Sequence, residues 1–143
     1  MNAKDEVAKL VNTVHRTLFQ VTNGRVGGTI VGMPAVILTT TGRKSGKKRT
    51  SMLTSPVQEG GRVVLVASYG GDERHPQWYL NLQNNSAVEL VGFGKNQRMT
   101  ARTANAEERA DLWPKITERY KGYADYQTKT DREIPVVILE PTA

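Results

Sequence analysis

The sequence predicts an α+β fold in which about six short, mainly antiparallel strands form a barrel, with a leading helix and two or three inserted helices. Three observations carry that expectation. Apolar, β-branched runs such as VILTT and RVVLV recur along the chain. Glycine-bearing turns, EGG and GFGKN among them, join them at hairpin length. The strand–helix–strand alternation of a doubly wound sheet is scarce. At 143 residues the chain suits one domain with one core. We divide it into an amphipathic helix and linker over 1–28 and a barrel over 29–143.

Taken in order, residues 4–20 have helical periodicity. Val7, Leu10, Val11, Val14 and Leu18 recur at spacings of three and four, with charged residues elsewhere on the wheel. The segment NGRVGG at 23–28 breaks that helix. Met33–Thr40 reads as the first strand, Thr50–Val57 as the second, and Arg62–Ser68 as the third, with Glu59-Gly60-Gly61 as the hairpin turn between the last two. Pro76 suits the first turn of a short helix, where its missing N–H costs nothing, and that helix runs to about Asn84. Ala87–Val91 and Gln97–Thr103 read as two further strands around GFGKN. Asn105 followed by Glu108 is a helix-capping pattern. The helix continues through Leu112, Trp113, Ile116 and Tyr120, and Pro114 is expected to kink or restart it. Ile134–Glu140 is apolar enough to be a buried last strand.

Bulk composition narrows the chemistry. The net charge of +6 favours anionic partners. There is no cysteine, which excludes disulfides, zinc–thiolate sites, iron–sulfur clusters and thiol nucleophiles. The two histidines, His15 and His75, lack metal-ligand spacing, so no metal is expected. We find no signal peptide and no run of about 18 apolar residues, so a cytoplasmic location is expected.

The stretch GRKSGKKRT at 42–50 packs five cations and two glycines into nine residues. Charges of one sign repel, and that cost is relieved when an anion binds. The glycines can turn backbone N–H groups toward a ligand. Arg43 and Arg49 offer planar forks, and Lys44 a point charge. The alternative is a solvated hairpin. The loop is not a Walker A motif, which needs four residues between its glycines before the lysine where this chain has three. A second stretch, Gln77-Trp78-Tyr79-Leu80-Asn81, opens the short helix after a Gly-Gly loop. Trp78 could wall a planar ring there, or simply pack. Tyr123 and Tyr126, three apart, share a helix face. No GxSxG, paired-carboxylate or metal constellation is evident, so an enzymatic role points to cofactor chemistry.

Read together, VILTTTGRKSGKKRT, RVVLVASYGG, HPQWYLNL, AEERADLWPKITERY and GYADYQTKTDREIPVVILEP resemble the deazaflavin-dependent nitroreductase family. These are actinobacterial quinone and nitro-compound reductases that use coenzyme F420. The resemblance spans roughly residues 33–141. It implies a split β-barrel like that of flavin-binding oxidases. It also implies that Arg43, Lys44, Ser45 and Arg49 grip the coenzyme's phosphate-and-glutamate tail. Thr50, Ser51, Met52, Leu53 and Thr54 would run alongside the ring. Val66, Ala67, Ser68 and Tyr69 would form the wall beside it, and Gln77, Trp78, Tyr79, Leu80 and Asn81 would close the site. Three positions depart from the family pattern: Tyr69 stands for a common lysine, Thr54 for a tyrosine, and Lys48 for a proline.

The resemblance further implies hydride transfer from the reduced deazaflavin to quinones, nitroaromatics, or α,β-unsaturated lactones and coumarins. Ser68, Tyr123 and Tyr126 are the candidate donors that polarise the acceptor. The expected partner is a small electrophile, with no nucleic acid, and the expected assembly a monomer with a dimer as the alternative. The N-terminal helix either packs on the barrel or lies on an anionic membrane as a peripheral contact. Two competing readings stand beside this one. A flavin mononucleotide oxidase would share the fold but need a smaller anion site. A basic barrel that binds single-stranded nucleic acid would expose aromatics on its strands, whereas these strands are mostly aliphatic.

Overall fold

A computed structural model of the protein describes residues 29–30 and 33–142. The helix expected over 4–20, and with it the question of its packing, lies outside the described residues. The chain forms β1 (Thr29–Ile30), β2 (Met33–Thr41), β3 (Lys48–Thr54), β4 (Val57–Glu59) and β5 (Arg62–Val66). A single 3₁₀ turn at Tyr69–Gly71 leads to α1 (Gln77–Asn84). Then come β6 (Ala87–Gly92), β7 (Lys95–Thr103), α2 (Ala106–Arg119), α3 (Gly122–Thr128) and β8 (Val136–Pro141).

Among the described residues every pairing is antiparallel, and the sheet runs β1-β2-β6-β7-β8-β5-β4 with β3 joined to β2. The α+β class therefore stands, with eight strands among the described residues where about six are expected. Two differences account for the count. β1 is two residues long, too short to carry a periodic signal. The run expected over Thr50–Val57 breaks at Ser55-Pro56, because proline has no N–H for a ladder. Ser55 Oγ donates to Val64 O at 2.7 Å, which turns the corner, and the chain restarts as β4.

The strands sort their side chains by alternation. Val36 and Leu38 of β2, Val63 and Leu65 of β5, Val88 and Leu90 of β6, Met99 and Ala101 of β7, and Val137 and Leu139 of β8 gather in one interior cluster with Trp78, Tyr79 and Leu82 of α1. Leu38, Leu65 and Leu139 are fully buried, each contributing about 1.5–3 kcal/mol. The opposite face of β5 and β8 meets Leu112 and Ile116 of α2 and Tyr123 of α3. The cap expected at Asn105 is present in both directions: Asn105 Oδ1 accepts from Glu108 N at 2.8 Å, and Asn105 N donates to Glu108 Oε1 at 3.1 Å. Pro114 lies inside one continuous helix. Pro76 is the residue before α1 and not its first helical one, with an extended ψ of 150°.

Candidate functional site: a basic turn at one end of β3 and a tyrosine cluster at the other

The basic turn is folded by its own backbone. Gly42 N donates to Lys47 O and Gly46 N to Gly42 O, both at 2.8 Å. Ser45 Oγ accepts from Lys47 N at 3.2 Å. Gly46 sits at φ +71°, where L side chains are disfavoured. A Cβ on Gly42 would lie 2.8 Å from Ser45 Oγ. The glycines are therefore needed for the turn itself.

Arg43 is held by α1. Its Nη1 donates to Asn81 Oδ1 and its Nη2 to Gln77 Oε1, each at 2.8 Å. Its backbone N–H reaches Asn81 Oδ1 at 3.2 Å, and Asn81 Nδ2 donates to Thr40 Oγ1 at 3.4 Å. Three of the expected residues, Arg43, Gln77 and Asn81, are thus brought together. Lys44, Lys47, Lys48 and Arg49 stay exposed with no carboxylate partner among the described residues. The register pairs Thr40 with Arg49, so Arg49 shares the face on which Asn81 meets Thr40.

Alternation divides the rest of β3. Ser51 and Leu53 share the face of Arg49, and Leu53 packs on the interior cluster. Thr50, Met52 and Thr54 share the other face, where Met52 packs against Ala35 and Ile37. Thr54 Oγ1 lies 3.3 Å from Tyr123 Oη. The tyrosine hydroxyl also points at Met33 Sδ, 3.9 Å away. From Arg49 to Thr54 the strand covers about 17 Å at its usual rise.

Tyr120, Tyr123 and Tyr126 form one aromatic cluster. The Tyr120–Tyr123 centroids are 5.2 Å apart and edge-on, and the Tyr123–Tyr126 centroids 6.1 Å apart. Burial pushes the Tyr123 phenol above its ordinary value. Tyr126 is pushed up to about 12, first by its hydrogen bond with Tyr120 and then by burial. Both are therefore neutral O–H groups at physiological pH.

The wall expected at 66–69 is a corner. β5 ends at Val66, and Ala67 N donates to Pro135 O at 3.0 Å. Ala67 faces the interior cluster, whereas Val66 packs toward α2 and α3. Ser68 is buried, and its hydroxyl makes no hydrogen bond among the described residues. Tyr69 follows at φ 46°, a left-handed conformation uncommon for a bulky residue, with Arg74 stacked 5.4 Å from its ring centroid. Gly71 lets this corner touch α3, since a Cβ there would lie 2.8 Å from Tyr126 O. On α1, Trp78 and Tyr79 are buried in the interior cluster, and Tyr79 Oη bonds Thr103 Oγ1 at 2.9 Å. Leu80 is partly exposed.

Sequence reasoning missed Arg132. It reaches Ser68 O at 2.8 Å, Asp72 O at 2.9 Å and Ala67 O at 3.2 Å. A lone arginine before a strand carries no local signal of such a role. A separate groove of about 580 Å³ between β4 and α2, bordered by Glu59, Lys115, Glu118 and Arg119, touches none of the expected site residues. No group of three or more potential metal ligands occurs among the described residues.

The comparisons with known proteins agree with one another. Residues 11–141 match the family model for F420H(2)-dependent quinone reductase. An F420H(2)-dependent quinone reductase of Mycobacterium tuberculosis is 39% identical over 130 residues, covering 88% of this chain and 87% of that protein. A solved structure described as an F420-H2 dependent reductase is 49% identical, with a TM-score of 0.68 over 75% of this chain and 94% of its own. Another, described as a domain-swapped dimer, is 43% identical, with a TM-score of 0.72 over 97% of this chain and all of its own. A family match across most of the chain, and relatives this similar over most of its length, are joined by a basic turn and tyrosine cluster at opposite ends of one strand: the chain belongs to the F420H(2)-dependent quinone reductase family.

Proposed function

We propose that the protein binds reduced coenzyme F420 with the tail on the turn at 42–49 and the ring along β3, and delivers hydride to a quinone near Ser68, Tyr123 and Tyr126. One observation carries this reading. Arg43 is fixed to Asn81 and Gln77, and it anchors a glycine turn that displays four further exposed cations. Such a donor set fits a tail bearing several negative charges. The span of about 17 Å between the two ends of β3 suits an elongated ligand. When bound, the deazaflavin supplies a two-electron donor, because carbon stands where a flavin has its reactive nitrogen.

The chain's own residues then do three things. The turn neutralises the tail and fixes its direction. The 66–71 corner and β3 would bound the ring and exclude water from it. Ser68, Tyr123 and Tyr126 offer neutral O–H donors to an acceptor oxygen as negative charge develops on it. Nitroaromatics and α,β-unsaturated lactones or coumarins share the electron-poor character of quinones, and we include them as acceptors. Tyr69 and Thr54, which replace the lysine and tyrosine of the family pattern, shape the substrate end.

We read the sheet as a split barrel. Five strands lying flat would span about 19 Å between the outermost two, yet the interior cluster is completed by α1, whose eight residues extend only about 12 Å. A sheet that curls on itself resolves the mismatch. The assembly is read as a monomer in the cytoplasm, with the swapped dimer and a peripheral membrane contact as its alternatives. Light scattering and flotation with anionic vesicles separate these.

Titration with oxidised F420 and with flavin mononucleotide, followed by tryptophan fluorescence, tests the coenzyme assignment. Turnover of the reduced coenzyme with a quinone, a nitroaromatic and a coumarin tests the acceptors. Tighter binding of the flavin than of the deazaflavin, or no quinone reduction, would sink the proposal.

A further inference from the structure

We infer that Arg132 is a positioning residue that locks the Ser68–Tyr69 corner to the helix carrying Tyr123 and Tyr126. The corner needs outside support. After Val66 the chain leaves the ladder, and the Ala67 and Ser68 carbonyls sit in a buried stretch where an unmet acceptor is costly. Tyr69, Gly70 and Gly71 then take three successive left-handed conformations, at φ 46°, 65° and 81°. Backbone of this kind persists only where its surroundings hold it.

Arg132 supplies the hold with one planar fork. Nε donates to Asp72 O at 2.9 Å, Nη1 to Ala67 O at 3.2 Å, and Nη2 to Ser68 O at 2.8 Å. Both ends of the left-handed run are gripped by one rigid group. His75 Nδ1 lies 3.3 Å from Nη1, which orients the imidazole against Tyr79. A lysine ammonium cannot reproduce this geometry, because it is a point donor and not a fork.

Arg132 is itself tied to α3. Its carbonyl accepts from Gln127 Nε2 at 2.8 Å, while Gln127 Oε1 accepts from Ile134 N at 2.9 Å. Gln127 lies one residue after Tyr126. The chain of contacts therefore runs from the tyrosine helix through Gln127 and Arg132 to the carbonyls beside Ser68 and Tyr69. It fixes the distance between two groups of proposed donors that belong to different elements. This inference rests on the coenzyme reading given above, but its geometry does not.

The test uses the full chain with Arg132→Lys, Arg132→Ala and Gln127→Ala. Amide hydrogen exchange should rise in both 67–72 and 122–128, by about tenfold or more in the lysine variant, while the β6–β7 hairpin stays protected. The Kd for oxidised F420 should rise about tenfold, and the single-turnover hydride rate should fall about a hundredfold with little change in quinone KM. Methylguanidinium should restore part of the rate to Arg132→Ala and none to Ser68→Ala. Unchanged exchange at 67–72 in Arg132→Lys, or a rate loss that follows only the global unfolding midpoint without rescue, overturns the inference. Failure of the wild type to bind the deazaflavin overturns the coenzyme reading instead, and the exchange measurement still decides the clasp.

Discussion

The guanidinium of Arg43 meets the side-chain oxygen of Asn81 at 2.8 Å across 38 residues of sequence. That bond docks the basic turn onto α1 and gives the turn a fixed direction. Arg43 therefore acts through both shape and charge, whereas Lys44 and Arg49 act through charge. Lys44→Ala and Arg49→Ala should each raise the Kd for F420 about tenfold at low ionic strength. The difference from wild type should shrink in about 1 M salt, where screening reaches within about 3 Å. Arg43→Ala should keep a salt-resistant part of its loss, because the turn is also unseated from Asn81 and Gln77. Equal salt sensitivity in all three variants would contradict this division.

Gly71 and Gly60 are both left-handed, at φ 81° and 58°, but only Gly71 is crowded. An alanine at Gly60 meets nothing within 4 Å, so Gly60→Ala should cost about 1–2 kcal/mol, the backbone term alone. Gly71→Ala adds a collision with Tyr126 O at 2.8 Å and Lys129 Cβ at 3.1 Å. Its total should reach about 2–5 kcal/mol. Denaturant unfolding of the two variants measures both, and equal costs would show that the corner does not abut α3.

Much of this architecture is legible in the sequence, for reasons that differ by element. Met33–Thr41 is a strand on sight because its apolar run is buried on both faces. The Asn105–Glu108 cap is legible because both partners lie within one turn. The basic turn is legible from its glycines and charge alone. The break at Ser55-Pro56 is less so, since it depends on Ser55 reaching Val64 O nine residues away. Arg132 and Gln127 are illegible locally. Arg132 bonds carbonyls 60 to 65 residues earlier in the chain, and no periodicity encodes a contact of that range. The docking of Arg43 onto Asn81 is of the same long-range kind, although the resemblance brings both residues to notice.

Tyr123 is buried, and its hydroxyl pairs with Thr54 at 3.3 Å. Tyr123→Phe keeps the ring and loses the Thr54 hydrogen bond and the weaker contact to Met33 Sδ, so it should cost about 1 kcal/mol. Tyr123→Ala empties a site between α3 and the sheet and should cost about 3–5 kcal/mol. Thermal unfolding separates the two. If quinone turnover falls in Tyr123→Phe by far more than stability does, the hydroxyl also serves the reaction.

His75 is lowered from its ordinary value first by burial and then by the Arg132 charge. Protonation is therefore easier in the unfolded chain than in the folded one. The neutral ring is fully compatible with the fold above about pH 6.5, the unfolded value. Stability should fall as the pH drops through that value and level off below the depressed folded one. In His75→Gln the slope between about pH 7 and 5 should flatten. A slope that survives the substitution would assign it to other groups.

Tyr126 behaves in the opposite direction. Its pKa rises to about 12, led by the hydrogen bond with Tyr120, so the fold favours the neutral phenol. That contribution is complete below about pH 10, the unfolded value, and is lost as the pH climbs toward about 12. A donor with such a pKa stays protonated across the working range. kcat/KM for quinone reduction should therefore show no basic limb from tyrosine ionisation below about pH 10. Tyr120→Phe removes the partner named first among the causes, so the Tyr126 titration should move down toward its ordinary value in near-ultraviolet difference spectra. A Tyr126 titration unmoved by Tyr120→Phe would mean that burial, with the neighbouring Tyr123 and Asp125, holds the proton, and that Tyr120 does not.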